Sequence, residues 1–492
     1  MNKIIIVGSG IGGSGIGALI SKETQYQVSL FEKNKIIGGR CASYEKFDDQ
    51  GRKWIFDIGC HIISTCDKGP LGEILNRCGK GDNVKWSYTR NPGPRVNIMG
   101  MELIKMDKKK RTQGKTAKET TKKKKETFTE YITKMPLEET WNYDKMSLNE
   151  LFQQYYGSRG GIMSRLMYTM QGAVMFGTSP DTTSAGEFLR SVGFNNRKMS
   201  MGYPFGGTGV IPETYCNIIR ENKGNIYLGK EGDVKKIIVE DKKVKGIEAG
   251  LDNEFYEAEI VIANSDIKTT VLNLVGENHF PKDYVKYIKD LKWGGQVCSL
   301  KVGIDKIVTD HKMLTYMPKI ELSEMKGKSI YQIDFTEMFF MNQQVPEKTG
   351  LLIVPISNHD PALAPEGCQN IHTVTATALG DTVKWSVEDE KKWEKTCFNS
   401  LFTLWPEIED HLVVKDFIAT SQLAARFGKE GAGTGIAQSV DQVGKNRPSM
   451  ISPIKGLYFC SGDAGGWGIG TELPARSALE LFDILKKNDF SN

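Results

Sequence analysis

Lys3-Ile-Ile-Ile-Val7, then Gly8-Ser-Gly10-Ile-Gly12-Gly13, then Val28-Ser-Leu-Phe-Glu32 is the stretch that decides the fold. The first segment is a short β-branched apolar run and reads as a buried strand. The glycines follow at once and open a small-residue helix expected to run to about Ser21. Val28–Glu32 reads as a second strand, so residues 3–32 form one βαβ unit. Gly8 permits the tight turn, Gly10 lets the backbone approach a pyrophosphate, and Gly13 lets helix and strand pack closely. Ser9 and Gly12 complete the loop, and the helix N-terminus behind it offers free N–H groups and positive dipole to phosphates. Glu32, with Lys33 beside it, ends the second strand, where a carboxylate can accept from ribose hydroxyls. The unit therefore predicts dinucleotide binding, against the alternative of a purely structural glycine turn.

Working outward, the 492-residue chain is long enough for two or three structural units. With 39% hydrophobic and 25% charged residues, it is excluded from the disordered, collagen-like and disulfide-scaffold classes. Nine scattered cysteines without a C-x-x-C pair argue against a zinc or iron–sulfur framework and fit a reducing compartment. No metal site is expected. The uncharged run Ile4–Ile20 contains six glycines and lacks a basic leader, so it does not read as a signal peptide. No stretch is apolar enough to span a bilayer, and the expected location is the cytoplasm, with peripheral attachment to a membrane as an alternative.

Charge is concentrated in one insert. Lys105–Lys125 carries eleven basic and two acidic residues, a net +9 against +5 for the whole chain, so the remainder is acidic. A block of like charges reads either as a solvated loop or as a patch for an anionic membrane surface. No aromatic side chains interleave with these lysines, which argues against nucleic acid as a partner.

The expected organisation leaves a nucleotide-binding domain and returns to it twice. That domain takes 1–90, 201–284 and 446–492, and a substrate domain takes 91–200, with the insert 105–125, and 285–445. Within it, Gly224–Ala263 reads as a strand meander with a turn at Asp241–Lys243, and Gly456–Leu485 as strand, glycine loop and helix.

Beyond Glu32 the chain reads Gly38-Gly39-Arg40, whose guanidinium could reach phosphate in fork geometry. GxGxxG, then Glu, then GGR resembles the FAD-dependent amine oxidase and phytoene desaturase superfamily. Phe56-Asp57-Ile-Gly59-Cys-His61 is similar to the D-x-G segment that such proteins place beside the flavin. Gly206-Gly207-Thr-Gly209 with the meander containing Val234 resembles the adenine-recognising contact. Gly456–Asp463 with Gly468-Ile469-Gly470 resembles the closing FAD motif, in which Gly462 and Asp463 face cofactor hydroxyls. The resemblance implies an α/β two-domain flavoprotein: a Rossmann-like FAD domain with a β-meander, plus a mixed α+β substrate domain. It implies non-covalent FAD, because no cysteine lies in Gly465–Thr471. Cys460 reads as a small hydrophobe in the preceding strand.

Two residues stand out as catalytic candidates. His61 could touch flavin or substrate, or be a satisfied structural histidine. Arg476, where relatives carry small residues, could stabilise charge or make an outward salt bridge. Met163, Leu166, Met167, Met170 and Val174 share one helical face, which is either core or the wall of an adaptable apolar pocket. Trp467 has the same two readings. The expected function is hydride exchange between flavin N5 and an apolar isoprenoid or polyene substrate: a desaturase, saturase or isomerase. The electron partner would be oxygen, a quinone or a protein, since no second nucleotide fingerprint suggests an NADPH domain. Amine oxidation is the alternative. A non-catalytic prenyl-lipid escort is a third reading, disfavoured because Glu32, Arg40 and Asp463 occur together.

Overall fold

The run Lys3–Val7 (β1) buries four of its five side chains, and on both of its edges it is paired in parallel. The computed structural model describes residues 3–59, 62–90, 93–98, 101–103, 126–157, 165, 172, 175–318, 344–380 and 383–490. Helix α1 (Ile11–Glu23) leads from β1 to β2 (Gln27–Glu32). A hairpin of β3 (Ser43–Phe47) and β4 (Lys53–Asp57) follows. After a long excursion come β5 (Asn225–Leu228), β6 (Val234–Glu240), β7 (Lys243–Ala249), β8 (Glu254–Glu257) and β9 (Ile260–Ala263). Strands β10 (Gln296–Ile304), β11 (Gln369–Ala378) and β12 (Leu412–Ile418) belong to the second domain, and β13 (Leu457–Phe459) returns to the first.

The first sheet is parallel, in the order β13, β9, β1, β2, β5. Parallel strands covered on both faces read as continuous apolar runs, as Ile4-Ile-Ile-Val7 and Ile260-Val-Ile-Ala263 do. The predicted meander is thereby divided. Its first and last strands, β5 and β9, join the parallel sheet, and only β6, β7 and β8 form a separate antiparallel sheet. The turn between β6 and β7 places Asp241 and Lys242 at positive φ, the geometry of a two-residue hairpin loop. Helix α1 lies over this sheet between the final helix and Val210–Glu221.

The second domain is built on a seven-stranded sheet. It runs β12, β10, β11, then Leu351–Pro355, Leu314–Met317, Arg95–Ile98 and Met101–Leu103. Strands between 95 and 103 and strands between 296 and 418 thus meet in one sheet. Leu300, Val302 and Ile304 of β10 pack with Trp393, Cys397 and Leu401 of helix α3 (Val387–Leu404). A helical layer adjoins it, with helix α2 (Ala185–Lys198) and the segments 128–134 and 148–156 around Phe128, Phe152, Phe176 and Phe188. The Lys-rich insert and the Met-rich face, with Met163, Leu166, Met167, Met170 and Val174, lie outside the described residues. The eight described cysteines are all buried thiols, and no described helix is long and apolar enough to cross a membrane.

The other face of β10 is covered by the β3–β4 hairpin of the first domain. Gly303 sits so close under Trp54 that a Cβ would lie 2.5 Å from its ring. Beside it Lys301 is fully buried, flanked in register by His372 and Asp416. Its Nζ lies 3.9 Å from Asp416 Oδ2, while Tyr44 and Lys46 hold that carboxylate more closely. Burial pulls the Lys301 amine down to about 7, against the opposing pull of Asp416. The unfolded chain therefore binds more protons than the native one between about pH 7 and 10.5. Native stability measured against a Lys301→Met variant should rise with pH across that interval, by up to about 1.4 kcal/mol per pH unit. Parallel denaturant titrations at pH 7 and 9 check this; equal differences at both would show an amine that does not titrate there.

Candidate active site

The glycine loop is shaped by close approach. Gly8 has φ +105° and its N–H donates to the Phe31 carbonyl at 2.7 Å, tying the loop to β2. A Cβ on Gly13 would stand 2.1 Å from the Gly8 carbonyl oxygen, and one on Gly12 would stand 2.5 Å from that of Cys460. Helix α1 can therefore lie against both β1 and the end of β13 only with glycine at these positions. A Cβ on Gly10 would meet Asn264 Oδ1 at 2.6 Å. Asn264 follows β9, donates its N–H to Val7 O at 2.7 Å, and its side-chain amide donates to Cys460 O. No side chain caps α1. The first-turn amides, including those of Gly12 and Gly13, thus have no intrahelical acceptor and form a cradle for an anionic group.

Glu32, only 5% exposed, organises the rim of this cradle. Its Oε2 accepts from Ser9 N at 2.9 Å and Ser9 Oγ at 2.8 Å. Its Oε1 accepts from Asn34 N at 2.8 Å and Asn34 Nδ2 at 2.7 Å. Ser9 Oγ in turn accepts from Gly38 N at 3.0 Å. These four bonds use the carboxylate's lone pairs, so a ribose hydroxyl would have to exchange with one donor, and the Asn34 side chain is the movable one. Lys33 is exposed. Val234 begins β6 next to this rim: a Cβ on Gly232 would lie 2.4 Å from the Glu32 carbonyl oxygen.

Gly39, at φ +58°, lies against Gly10, and the Arg40 carbonyl accepts from Gly59 N at 3.0 Å. The Arg40 guanidinium crosses to the second domain, where Nη1 donates to Ala432 O at 2.9 Å and Gly433 O at 2.6 Å. Asp57 is buried and accepts from Ser43 Oγ at 2.6 Å, from Thr208 N at 3.0 Å and from Tyr203. His61 lies outside the described residues.

At the closing end Asp463 is fully buried and paired with Lys429, Nζ to Oδ1 at 2.7 Å. Arg447 clamps the turn after it, donating to Gly465 O at 2.7 Å and to Gly462 O. Gly468 N, expected to face the cofactor, donates instead to Glu187 Oε1 at 2.8 Å, on helix α2 of the substrate domain. Glu187 also receives Arg190 at 2.9 Å, and Arg190 pairs with Asp144 at 2.6 Å. Ile469 packs into the apolar helical layer, and Gly470 is exposed at φ +56°. Among the described residues Arg476 makes no salt bridge and is held instead by Trp467. Its guanidinium lies 3.7 Å over the Trp467 ring and its Nε donates to Trp467 O at 3.1 Å. Trp467 itself stands edge-on to Phe194. Helix α4 (Glu472–Asn488) begins beside it, with buried Glu472 bonded to Thr65.

Three remote stretches of sequence thus converge: the glycine loop with GGR, the residue after β9, and the motif after β13. Asn264, Glu187, Lys429 and Arg447 join the site without any motif announcing them. Among the described residues no cluster suited to a metal ion occurs.

Residues 6–78 match the model of the NAD(P)-binding Rossmann-like domain. Over 96% of this chain and 92% of the relative, the sequence is 22% identical to the zeta-carotene-forming phytoene desaturase of Myxococcus xanthus. An oxidoreductase of Methanosarcina mazei shares the fold with a TM-score of 0.64 at 18% identity, covering 98% of this chain and 100% of that one. The cyclohexylamine oxidase of Brevibacterium oxydans does so with a TM-score of 0.61 at 13% identity and full coverage of both chains. The chain thus carries a Rossmann-like nucleotide-binding domain and is similar, over nearly its whole length, to a phytoene desaturase in sequence and to oxidoreductases in fold.

Proposed function

We propose that the chain binds FAD non-covalently and exchanges a hydride equivalent with an apolar isoprenoid or polyene-type substrate, as a desaturase, saturase or isomerase. The observation that carries the substrate class is the surrounding of the closing loop. Ile469 belongs to the same apolar layer as Phe128, Phe176 and Phe188, and Trp467 leans on Phe194. The charges reaching into that layer, on Glu187, Arg190 and Asp144, are tied to one another. Such a wall suits a long hydrocarbon and excludes water. The likeness to a phytoene desaturase over nearly the whole chain supports the same class. An acceptor or donor such as a quinone or a protein, and an anionic membrane surface touched through Lys105–Lys125, are parts of the same proposal.

The residues present fit the cofactor. The cradle at Gly10–Gly13 would hold the pyrophosphate, Glu32 the adenosine ribose, the backbone at Val234 the adenine, and Asp463 the hydroxyls nearer the flavin. Arg40 would reach phosphate. Bound there, the flavin supplies reversible two-electron chemistry. The chain's own contribution is to orient it, keep water out and hold charge and protons close by. Glu472 is suited to hold a proton: buried under Thr65, its carboxyl is pushed up to about 7 by desolvation, with Arg476 opposing. Trp467 and Ile469 then form the apolar boundary between that carboxyl and the substrate layer.

An absorption spectrum of the purified protein, before and after denaturation and filtration, should show two flavin bands and free FAD in the filtrate. Polyenes or prenyl quinones should then perturb the bound spectrum. Anaerobic bleaching by a small amine, with no response to polyenes, would move the assignment to amine oxidation. For Glu472 the native state binds more protons than the unfolded chain between about pH 4.5 and 7. Stability relative to Glu472→Gln should therefore fall as pH rises through that window, by up to about 1.4 kcal/mol per pH unit, and level off above it. A pH-independent difference in thermal unfolding would remove the proton from Glu472.

A further inference from the structure

The segment Gly428–Gly435 belongs to the substrate domain in sequence, yet its polar groups serve the nucleotide domain. Four successive residues have left-handed φ: Gly428 +69°, Lys429 +60°, Glu430 +48° and Gly431 +78°. Two of the four are not glycine, and such strain persists only where the surroundings impose it. Here they do. Ala432 N donates to Lys429 O at 2.8 Å, Gly433 N to Gly295 O at 2.9 Å, and Gly294 N to Gly435 O at 2.7 Å.

This backbone delivers Lys429 Nζ to Asp463 Oδ1 at 2.7 Å, with the two side chains only 8% and 0% exposed. In the opposite direction Arg40 donates to the carbonyls of Ala432 and Gly433. Gly435 backs the same carboxylate, since a Cβ there would lie 2.5 Å from Asp463 Oδ1. The Thr434 hydroxyl oxygen is buried in this loop with no hydrogen-bond partner among the described residues. Among the described residues the other carboxylate oxygen, Asp463 Oδ2, receives only a 3.4 Å contact from Ile267 N and keeps accepting capacity for a ligand hydroxyl.

We propose that the Gly428–Gly435 loop is part of the cofactor site, with Lys429 as the positioning residue that holds the Asp463 carboxylate aimed at the cofactor's hydroxyls. The proposal rests on the FAD reading. A buried carboxylate that loses its partner cation is no longer held in place, and its grip on a hydroxyl weakens. The lifetime of bound FAD therefore depends on Lys429, although Lys429 lies outside every nucleotide-binding motif.

The test is the rate at which the purified flavoprotein releases FAD on dilution, followed by the fluorescence of free FAD. Lys429→Met should release FAD about tenfold faster or more. Lys429→Arg should recover most of the wild-type rate. Should Lys429→Met not fold, the uncharged pair Lys429→Met/Asp463→Asn is expected to release FAD at least about tenfold faster than the wild type, and retention at the wild-type rate overturns the proposal. A folded variant without a cation at position 429 that holds FAD as long as the wild type overturns the proposal. Wild-type protein that takes up no FAD overturns the cofactor reading together with it, and is seen before any variant is made.

Discussion

Everything in this molecule that faces a cofactor depends on one contact, the approach of helix α1 to the backbone on two sides of it. Gly13 rests on the Gly8 carbonyl and Gly12 on that of Cys460, at separations no side chain tolerates. Because β13 enters the parallel sheet beside β9, the contact at Gly12 joins the first and the last turns of the nucleotide domain. Asn264 lies between them and bonds both, through its N–H to Val7 O and its side chain to Cys460 O. A shift of α1 by the width of one methyl group would move the phosphate cradle, the Gly39–Arg40 turn and the Asp463 turn relative to one another.

Much of this is legible in the sequence because the signals are local. A β-branched run, glycines at fixed offsets and a terminal carboxylate specify β1, α1, β2 and Glu32 with no knowledge of the rest. The second half of Gly224–Ala263 shows where local signals end. Its strands are correctly visible, but sheet membership is settled by partners far away: β5 pairs with β2, and β9 pairs with β1 and β13. Ile260-Val-Ile-Ala263 is continuously apolar whereas β6 alternates, and that contrast is the sequence trace of the division.

The closing loop is the less legible part, for a related reason. Gly468-Ile-Gly470 looks like a backbone surface free to meet a ligand. The structure ties the Gly468 amide to Glu187, on a helix almost three hundred positions earlier. Arg476 likewise looks like an unpaired cation and is absorbed by the Trp467 face. A charged side chain on a helix announces itself equally as a surface group or as a long-range tether, and only its burial separates the two. Glu187 and Lys429 are both such tethers, each carrying the substrate domain onto the motif that follows β13.

Buried charge explains why these tethers come paired. An isolated ion in the interior is costly, and removing one partner leaves that cost in full. Lys429 with Asp463 is satisfied only when the two domains are in register, and Glu187, held by Arg190 within the helical layer, reaches across to Gly468 N. Arg447 is satisfied differently, by carbonyls of the Gly462–Gly465 turn. Hydrophobic contact alone would tolerate sliding of the helical layer over the Trp467–Ile469 loop, because it has no direction. Hydrogen-bonded charges do not tolerate it, since a displacement of an ångström or two breaks them. The apolar layer therefore sets the shape of this contact, while the buried ions fix where it stands relative to the glycine loop.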